Sequence, residues 1–600
     1  MSRATSTSTA RAAAVADPSV KMTHRQILFV IFGLMGGMFL SSLDQTIVGT
    51  SMRTIADDLD GLSLQAWVTT AYLIVSTIST PIYGKLSDIF GRRPLFIIAI
   101  TVFLVGSLLA GFATSMYELA IFRAVQGLGA GGLMALPLTI MGDILAPRER
   151  AKYQGYFLAV FGVSSLIGPL VGGLFAGADE ILFVTGWRWV FLINIPIGIV
   201  AMAIVLRFLH LPRGATRSVR IDWWGAALVI VAAVPLLLVA EQGREWGWAS
   251  GIAIACYVVG ALGIIGFIVA EKLMKDDALI PLKLFRSPTF SMATVLGVLV
   301  GFGMFGALMT IPLYLQLVNG ATPTESGFLT LPMIGGLMIS SIVSGQIISR
   351  TGKYKPFPII GTGLMAAGFF YFTFATYDKP VWFLMGGMLL VGLGLGQLMQ
   401  TLTIASQNAV GPRDIGVATS SSTFFRQIGG TLGTAVIFSV LFTRIPETLT
   451  AIFSRTSTQQ SLQTLAADPS VQADPANAGI LSLLSDPSKL SGALDGDTSF
   501  LSDADPRLAA PFLEGFATAA VSVFWVSLCV VLVAFVLSFF LKATPLREKS
   551  AIQESADEDA ALLAQSAADT TGALVDPGRA ADPAASSAPA TPTPGPTARR

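Results

Sequence analysis

One acidic residue lies deep in the first long apolar run of the chain, where a charge is unfavourable. Asp44 is the one acidic residue well inside any of the apolar runs. Burial disfavours the ionised carboxylate, so such a group titrates in a range useful for taking up and releasing a proton. We expect Asp44 to carry a proton; the alternative is a carboxylate partnered for structural reasons.

A basic residue in a later apolar run offers the matching charge. Arg123 is followed one turn later by Gln126 in the stretch IFRAVQGLGAGG. A buried arginine needs an acceptor, and Asp44 is the obvious internal carboxylate. We hypothesise that Arg123 pairs with Asp44 and that protonation of the acid loosens the pair. The alternative is that Arg123 bonds backbone carbonyls and holds helices together.

A charged loop, GKLSDIFGRRPLF, follows the second apolar run and begins at Gly84. Its two glycines permit tight turns and close helix approach. An acid in such a loop can meet a helix N-terminus, and a base can reach the inner end of the fourth run. The expected breakable latch comprises Gly84, Asp88, Gly91, Arg92, Arg93 and Asp143. The alternative is a structural loop whose bases, Lys85 and Arg93, set orientation in the membrane.

Two further sets of residues stand out in the apolar runs. The fifth run, GVSSLIGPLVGG, contains a GxxxG spacing, which permits close helix contact: Gly162, Gly168, Pro169, Gly172 and Gly173. Uncharged amides with Phe and Met alongside form a tentative cavity set: Gln126, Asn194, Gln316, Gln346, Gln397 and Gln400. Such a cavity suits a neutral or monovalent amphiphile, although amides also bond between helices.

The composition requires a membrane environment for these residues. Of 600 residues, 53% are hydrophobic and 12% are charged, against about 25% charged in soluble proteins. A net charge of +1 removes the electrostatic case for nucleic-acid binding. Two cysteines and two histidines exclude a disulfide framework and a His- or Cys-based metal centre. We predict an all-α polytopic membrane protein without a cofactor.

Apolar stretches long enough to cross a bilayer number fourteen, which places both termini on one side. They lie near residues 26–49, 65–84, 94–113, 119–142, 155–177, 187–209, 222–241, 249–271, 289–317, 325–348, 357–376, 380–404, 416–442 and 515–541. Lys and Arg concentrate in loops on the N-terminal side, and the outer short loops contain Arg53, Arg188, Arg244 and Lys379. We therefore predict a plasma (inner) membrane protein with both termini in the cytoplasm.

The predicted organisation has two six-helix halves separated by two inserted spans. Its segments are a disordered leader (1–25), the first half (26–211), the inserted pair (212–285), the second half (286–542) with an outer loop at 444–511, and a disordered tail (543–600). The halves carry a decayed repeat, since Gly84 and Gly91 match Gly345 and Gly352. The charged residues of this repeat are retained in the first half, so we expect ion coupling there. We expect the substrate site to lie between the halves.

The motifs quoted above, with LDQTIVGTSMRTIADDL, WRWVFLINIPIG, IPLKLFRSPTF and FFRQIGGTLGTA, resemble the major facilitator superfamily. The similarity is to its fourteen-span drug:proton antiporter branch, and it covers roughly residues 26–442 and the last span. The resemblance implies the major facilitator fold, a proton-carrying acid in the first span, energy from a proton gradient, and a fifth-span motif of antiporters.

Two functions follow as expectations from these features. The first is proton-coupled export of lipophilic or monocationic drugs by alternating access. The alternative is export of a lipid or glycolipid, because an outer loop as long as 444–511 is unexpected in a drug pump; an outer lipid-handling partner would then be possible. A monomer is expected. The spans hold no nucleophile–base pair, so an enzyme is disfavoured.

Overall fold

The computed structural model describes residues 24–59, 64–209, 220–485, 501 and 504–550, and single positions near the C-terminus. Residues 18–552 form one compact unit. Residues 1–17 and 553–600 form a second, of which residues 553, 554, 557, 561 and 565 are described. Residues 1–23 of the predicted leader, most of the predicted tail, and residues 486–500, 502 and 503 of the outer loop therefore lie outside the described residues. The last two residues of the predicted leader, His24 and Arg25, begin the first helix.

Six long helices make up the first half of the described chain. They are α1 (His24–Asp58), α2 (Gln65–Phe90), α3 (Arg92–Gly111), α4 (Met116–Ile144), α5 (Pro147–Ala176) and α6 (Asn194–Phe208). An apolar chain in lipid satisfies its backbone by forming helices. Gly91, with φ of 94°, makes the tight turn between α2 and α3. The strands β1 (Glu180–Ile181) and β2 (Val184–Thr185) form a small antiparallel hairpin before α6.

A helical hairpin and six further helices follow. The hairpin is α7 (Trp223–Trp246) and α8 (Gly251–Met274). The second half is α9 (Pro288–Asn319), α10 (Leu331–Thr351), α11 (Pro356–Phe372), α12 (Val381–Asn408), α13 (Ile415–Phe453) and α14 (Pro506–Phe539). Each predicted span therefore coincides with a helix.

Twelve helices in the described part of the chain are long and apolar enough to cross a membrane. The two predicted spans outside this set are α2, which is rich in Ser and Thr and contains Lys85 and Asp88, and α11, a shorter apolar helix at Pro356–Phe372. The chain is thus an all-α, multi-pass membrane protein, and by length and composition the helices give twelve candidate spans rather than fourteen.

Within each half the same helices are neighbours. In the first half α2 and α3 pack on α4, and α1 packs on α5 and α6; in the second half α10 and α11 pack on α12, and α9 packs on α13 and α14. The halves meet where α5 contacts α10 and where α2 contacts α13. The α7–α8 hairpin packs through α7 against α2 and α13. The helices that bear the predicted latch and the fifth-span motif therefore form the interface between the halves.

The predicted outer loop is shorter than 444–511, because both flanking helices extend into it. α13 continues to Phe453 and α14 begins at Pro506, and the extensions pack together through Leu449, Phe453 and Phe512. The connection contains short helices at Thr456–Ala466, Pro469–Gln472 and Ala478–Ser485. Their apolar residues Leu462, Val471 and Ile480 are buried against the second half, which holds this part of the loop in a folded form.

Candidate functional site

A cluster of polar side chains lies inside the first half, around Asp44. Arg123 forms an ion pair with Asp44 Oδ2, and both side chains are fully buried. Gln126 Nε2 donates to Asp44 Oδ1 at 2.8 Å, and Asn194 Nδ2 donates to the same oxygen at 2.9 Å. Arg123 also donates to Gln126 Oε1 at 2.6 Å, and Ser107 Oγ accepts from Gln126 at 2.6 Å. Every contact to the carboxylate is a donated hydrogen bond, as an ionised acid requires.

An aromatic side chain completes the surroundings of the arginine. The Arg123 guanidinium lies 4.0 Å from the centroid of the Tyr72 ring, a cation–π geometry. The Tyr72 hydroxyl is 2.9 Å from the hydroxyl of Ser41, so α1 and α2 are also joined here. Because α1, α2, α3, α4 and α6 each contribute a side chain, the charge pair is isolated from lipid on all sides.

Glycines of α4 allow this close assembly of helices. A Cβ added at Gly127 would lie 2.7 Å from the backbone oxygen of Tyr72 on α2. Gly129 lies equally close to the backbone of α3 at Phe103, and Gly132 faces Ala99 on α3. The run GLGAGG therefore presents small positions to α2 and α3 in turn, and it brings both helices near the cluster.

The predicted latch residues are close together at the other end of α2. Arg92 forms ion pairs with Asp88 and with Asp143, where Arg92 Nε lies 2.7 Å from Oδ2. The second oxygen of Asp88 accepts from the backbone N–H of Val417 at 3.1 Å, in the first turn of α13. This is the favoured position for an acid at a helix N-terminus. Asp88 thus joins the two halves, whereas Arg93 donates to Leu206 O within the first half.

A second polar contact joins the halves at the same end. The buried Arg150 on α5 donates to Gln407 Oε1 on α12, and to the carbonyls of Gly142 and Leu145. Gln407 in turn donates to Leu138 O on α4 at 3.2 Å. Nothing in the position of Arg150 along the chain indicated this contact.

The linker that follows the α7–α8 hairpin lies beside this end of the interface. Lys283 forms ion pairs with Asp276 at 2.9 Å and with Asp414 at 3.0 Å, just before α13. Partial burial alone would lower the pKa of Lys283, but its hydrogen bonds to Asp276 and Asp414 raise it overall. Lys85 donates to Asp276 O at 2.9 Å, so the hairpin linker connects α2 with the start of α13.

The fifth-span residues lie on two faces of α5. Gly168 and Gly172 face α1, where a Cβ at Gly168 would overlap Thr46 and one at Gly172 would lie 2.9 Å from Ile47 O. Gly162 faces Ile334 on α10, across the interface between the halves. Pro169 lies near Gly327, and Gly173 has open space beside it. The motif therefore permits α5 to approach α1 closely at the turn that follows Asp44.

The structure does not bring the six amides of the predicted cavity together. Gln126 and Asn194 belong to the Asp44 cluster. Gln400 is buried between α10 and α5, accepting from Ser341 and donating to Ala151 O. The other three are dispersed: Gln397 bonds within α12, Gln316 bonds Ser326, and Gln346 is exposed on α10. Three of these amides thus hold helices together.

Tyr72, Ser41 and Ser107 are residues of the cluster that the sequence did not indicate. Neutral hydroxyls are common in apolar helices, and no spacing distinguishes these three from others. Within the described ranges, no group of three or more His, Cys, Asp or Glu side chains could hold a metal ion.

These features define a class of protein: a multi-pass membrane transporter with two similar helical halves and a buried charge cluster in one of them. The family model described as Major Facilitator Superfamily matches residues 34–434. The chain belongs to the major facilitator superfamily. It is a transporter and not an enzyme.

Relatives in this family cover most of the chain. The chain is 36% identical over 549 residues to the multidrug transporter protein MdtP of Bacillus subtilis (strain 168), covering 91% of this chain and 98% of the relative. It is 35% identical over 413 residues to multidrug resistance protein 3 of the same organism, covering 69% and 79%.

Solved structures support the fold alone. The chain matches the proton:xylose symporter XylE with a TM-score of 0.52 at 14% identity, covering 87% of this chain and 97% of that structure. It matches the human organic anion transporter MFSD10 with a TM-score of 0.50 at 15% identity, covering 69% and 93%.

Proposed function

We propose that this protein is a proton-coupled antiporter that exports lipophilic or monocationic drugs by alternating access, with Asp44 as the proton carrier. The observation that carries the proposal is the fully buried cluster of Asp44, Arg123, Gln126 and Asn194 in a chain of this family. Buried intramembrane acids of transporters are functional by default. Relatives named as multidrug transporters and efflux pumps support drugs as the substrate class.

Protonation changes what the cluster can bond. The ionised Asp44 accepts from Arg123, Gln126 and Asn194. A proton on Asp44 cancels its charge and makes the carboxyl group a hydrogen-bond donor that faces other donors. Arg123 then keeps the Gln126 oxygen and the Tyr72 ring as its partners. Separating a buried pair costs about 3–5 kcal/mol, enough to shift a two-state equilibrium. We infer that proton uptake from outside loosens α1 from α4.

Two features connect this change to the interface between the halves. Thr46, half a turn after Asp44, donates to Ser164 O on α5 at 3.1 Å and faces Gly168. α5 also contacts α10 in the second half. In the proposed cycle, movement of α1 displaces α5, and the Asp88–Val417 and Arg150–Gln407 contacts break as the cytoplasmic side opens.

Fourteen spans and cytoplasmic termini belong to the same proposal. In the repeat of the two halves, α2 and α11 each hold the place of a membrane span. Both pack against long apolar helices. A polar α2 is compatible with a membrane because its other neighbours, α4, α7 and α13, shield it from lipid. We place the protein in the plasma membrane, where the proton gradient supplies energy and no cofactor is needed.

The number of charges moved depends on the substrate. Exchange of one proton for one monocation moves no net charge, whereas export of a neutral lipophile moves one charge inward. Each charge that crosses contributes about 2.3 kcal/mol per 100 mV of membrane potential. A single carboxylate therefore favours neutral and monovalent substrates over multivalent cations.

Ethidium transport in everted membrane vesicles tests the proposal, with and without a protonophore. Wild type should accumulate ethidium when a proton gradient is present, and Asp44→Asn should reduce the initial rate to background. The loss is expected because the amide cannot bind and release a proton near neutral pH.

Asp57→Asn is the matched control, since Asp57 lies on the same helix but is exposed; its transport should equal that of wild type. Uphill transport by Asp44→Asn would overturn the role of Asp44. Absence of dye transport by wild type under any gradient would remove drug export and favour the alternative cargo.

That alternative is export of a lipid or glycolipid across the plasma membrane, and one observation favours it. A groove of about 630 Å³ opens between α13 and α14, and its lining includes the paired charges of Arg444 and Glu447. The rest of the lining is Ser439, Val440, Thr443, Ser522, Trp525 and Val526. A groove with both apolar and polar lining suits an acyl chain and its headgroup. The folded part of the connection between α13 and α14 begins beside it, where an outer lipid-handling partner could bind.

A further inference from the structure

A buried arginine in the second half has no role in the mechanism above. Arg426 lies in α13, and its exposed fraction is 8%. The other buried arginines among the described residues, Arg123 and Arg150, each have hydrogen-bond acceptors. Among the described residues, Arg426 has no hydrogen bond, ion pair or aromatic contact from its guanidinium. A desolvated cation without an acceptor is unfavourable, so its presence needs a reason.

The neighbours of Arg426 along α13 show which side of the helix it occupies. Thr419 and Ser422 contact Gln407 and Ser406 of α12. Gly429 and Gly433, one and two turns after Arg426, lie against α9. Residues spaced three or four apart share one face of a helix, so Arg426 lies on the face that α12 and α9 cover.

Arg426 also lies at the level where the two halves meet. The next residue, Gln427, accepts a hydrogen bond from Thr80 on α2 at 3.5 Å, across the interface. The guanidinium is not sealed: the Nε atoms of Arg123 and Arg150 are buried without a partner, whereas no nitrogen of Arg426 is in that state. Its nitrogens therefore keep some accessible surface, through which an acceptor can reach them.

The first half has no counterpart to this charge. Pro147 and Arg148 begin α5, and Pro412 and Arg413 precede α13 in the same way. In that register, Phe161 of α5 occupies the position of Arg426. The charge is thus a feature of the second half alone.

We propose that Arg426 is a substrate-binding residue that recognises an oxyanion, such as a carboxylate, sulfonate or phosphate, on a lipophilic molecule. The inference rests on the proposed transport function and extends its substrate class to amphiphilic monoanions. A guanidinium binds such groups in a bidentate manner, and bonds of this kind are about twice as strong as neutral ones.

Two probes that differ by one sulfonate test this assignment. Fluorescence titration of the purified full chain in zwitterionic nanodiscs would compare 8-anilinonaphthalene-1-sulfonate with N-phenyl-1-naphthylamine, using empty nanodiscs as background. Arg426→Gln should raise the Kd of the sulfonate about tenfold or more and leave that of the neutral amine within about twofold. Arg426→Lys should give an intermediate Kd, because it keeps the charge but loses the bidentate geometry.

Controls separate a binding role from a structural one. Arg507→Gln, which alters an exposed arginine paired with Asp505, should bind both probes as wild type does. Equal sulfonate affinity in wild type and Arg426→Gln would overturn the proposal. If Arg426→Gln loses both probes, Arg426→Lys decides: retained sulfonate binding supports the site, and loss of both probes assigns Arg426 a structural role.

Further arms distinguish the source of the anion and the two proposals. Competition in phosphatidylglycerol nanodiscs would assign the site to a lipid headgroup, and unchanged binding there would assign it to a free amphiphile. Failure of ethidium transport in wild type, with sulfonate binding intact, would remove drug export and leave the anion site standing.

Discussion

At the scale of single residues, the ion pair of Asp44 and Arg123 is held on all sides by buried polar and aromatic side chains. Both side chains are buried, and the three donors around Asp44 come from α4 and α6. Removing one member of such a pair leaves an unpaired charge, which costs about 3–5 kcal/mol. An acid can escape this penalty by taking up a proton, whereas an arginine cannot. The pair is therefore asymmetric in its response to substitution.

Arg123→Gln should consequently abolish gradient-driven ethidium transport with a modest loss of stability, because Asp44 becomes protonated and neutral. Asp44→Asn should be the more destabilising change, since it leaves the Arg123 charge buried without a carboxylate. The double variant should recover about 2 kcal/mol or more of the loss seen in Asp44→Asn and stay inactive in transport. Thermal unfolding of the purified proteins, together with vesicle transport, measures both effects.

Additive losses of stability in the double variant would contradict this interpretation. If the double variant loses the sum of the two single losses, the two residues do not interact in the folded state. Arg53→Gln serves as the control for arginine removal from the same membrane protein, because Arg53 is an exposed residue of α1.

The sequence predicted the pair but not its setting. Asp44 and Arg123 were identifiable because an intramembrane charge is rare and each had one evident partner. Asn194 was expected in the cavity and instead donates to Asp44, and Tyr72 and Ser107 were not expected at all. A neutral amide or hydroxyl has many acceptable partners in an apolar helix, so its contact depends on helix rotation, which the sequence pattern leaves open.

At the scale of helices, α5 carries the connection between the charge cluster and the second half. Its glycines face α1 at Gly168 and Gly172, and Gly162 faces α10. Small residues allow backbones to approach closely, so any side chain at these positions separates the helices. Gly173 lies on the same helix next to Gly172 and has open space beside it.

This contrast gives a matched pair of substitutions. Gly168→Val should abolish transport and lower the unfolding temperature, because its Cβ would overlap Thr46 and displace α1 next to Asp44. Overpacking of this kind costs about 1–3 kcal/mol. Gly173→Val should match wild type in both properties. Equal behaviour of the two variants, in ethidium transport and thermal unfolding, would contradict a role for close α1–α5 contact.

Helix positions were more predictable than helix ends. Each predicted span coincides with a helix because a stretch of apolar residues in lipid has no other way to satisfy its backbone. The ends depend on tertiary contacts: α13 continues past the predicted boundary because Leu449 and Phe453 pack against α14. Likewise α2 falls outside the twelve apolar candidates, since its polar residues are buried by other helices rather than exposed to lipid.

At the scale of the whole molecule, the halves are in contact at the end predicted to face the cytoplasm. Asp88 binds the first turn of α13, and Arg150 binds Gln407. Between these polar contacts, Gly84 of α2 lies directly against Ser420 and Gly416 of α13. Opening to the cytoplasm must separate all of these groups together. Hydrogen bonds and ion pairs of this kind can break and form again as a carrier changes conformation.

Gly84→Ala should weaken this closed arrangement, because the added Cβ would overlap the Ser420 side chain. A penalty of about 1–3 kcal/mol shifts the balance toward the cytoplasm-open form by about fivefold to 150-fold. With Cys256 and Cys529 replaced, the labelling rate of a cysteine introduced at Thr419 should rise in everted vesicles, and transport should fall.

Ser420→Gly removes the overlapping atoms, so the double variant should restore both the slow labelling and the transport. Ser420→Gly alone should label slowly. Fast labelling that persists in the double variant would show that Gly84 acts elsewhere than at this contact between the halves.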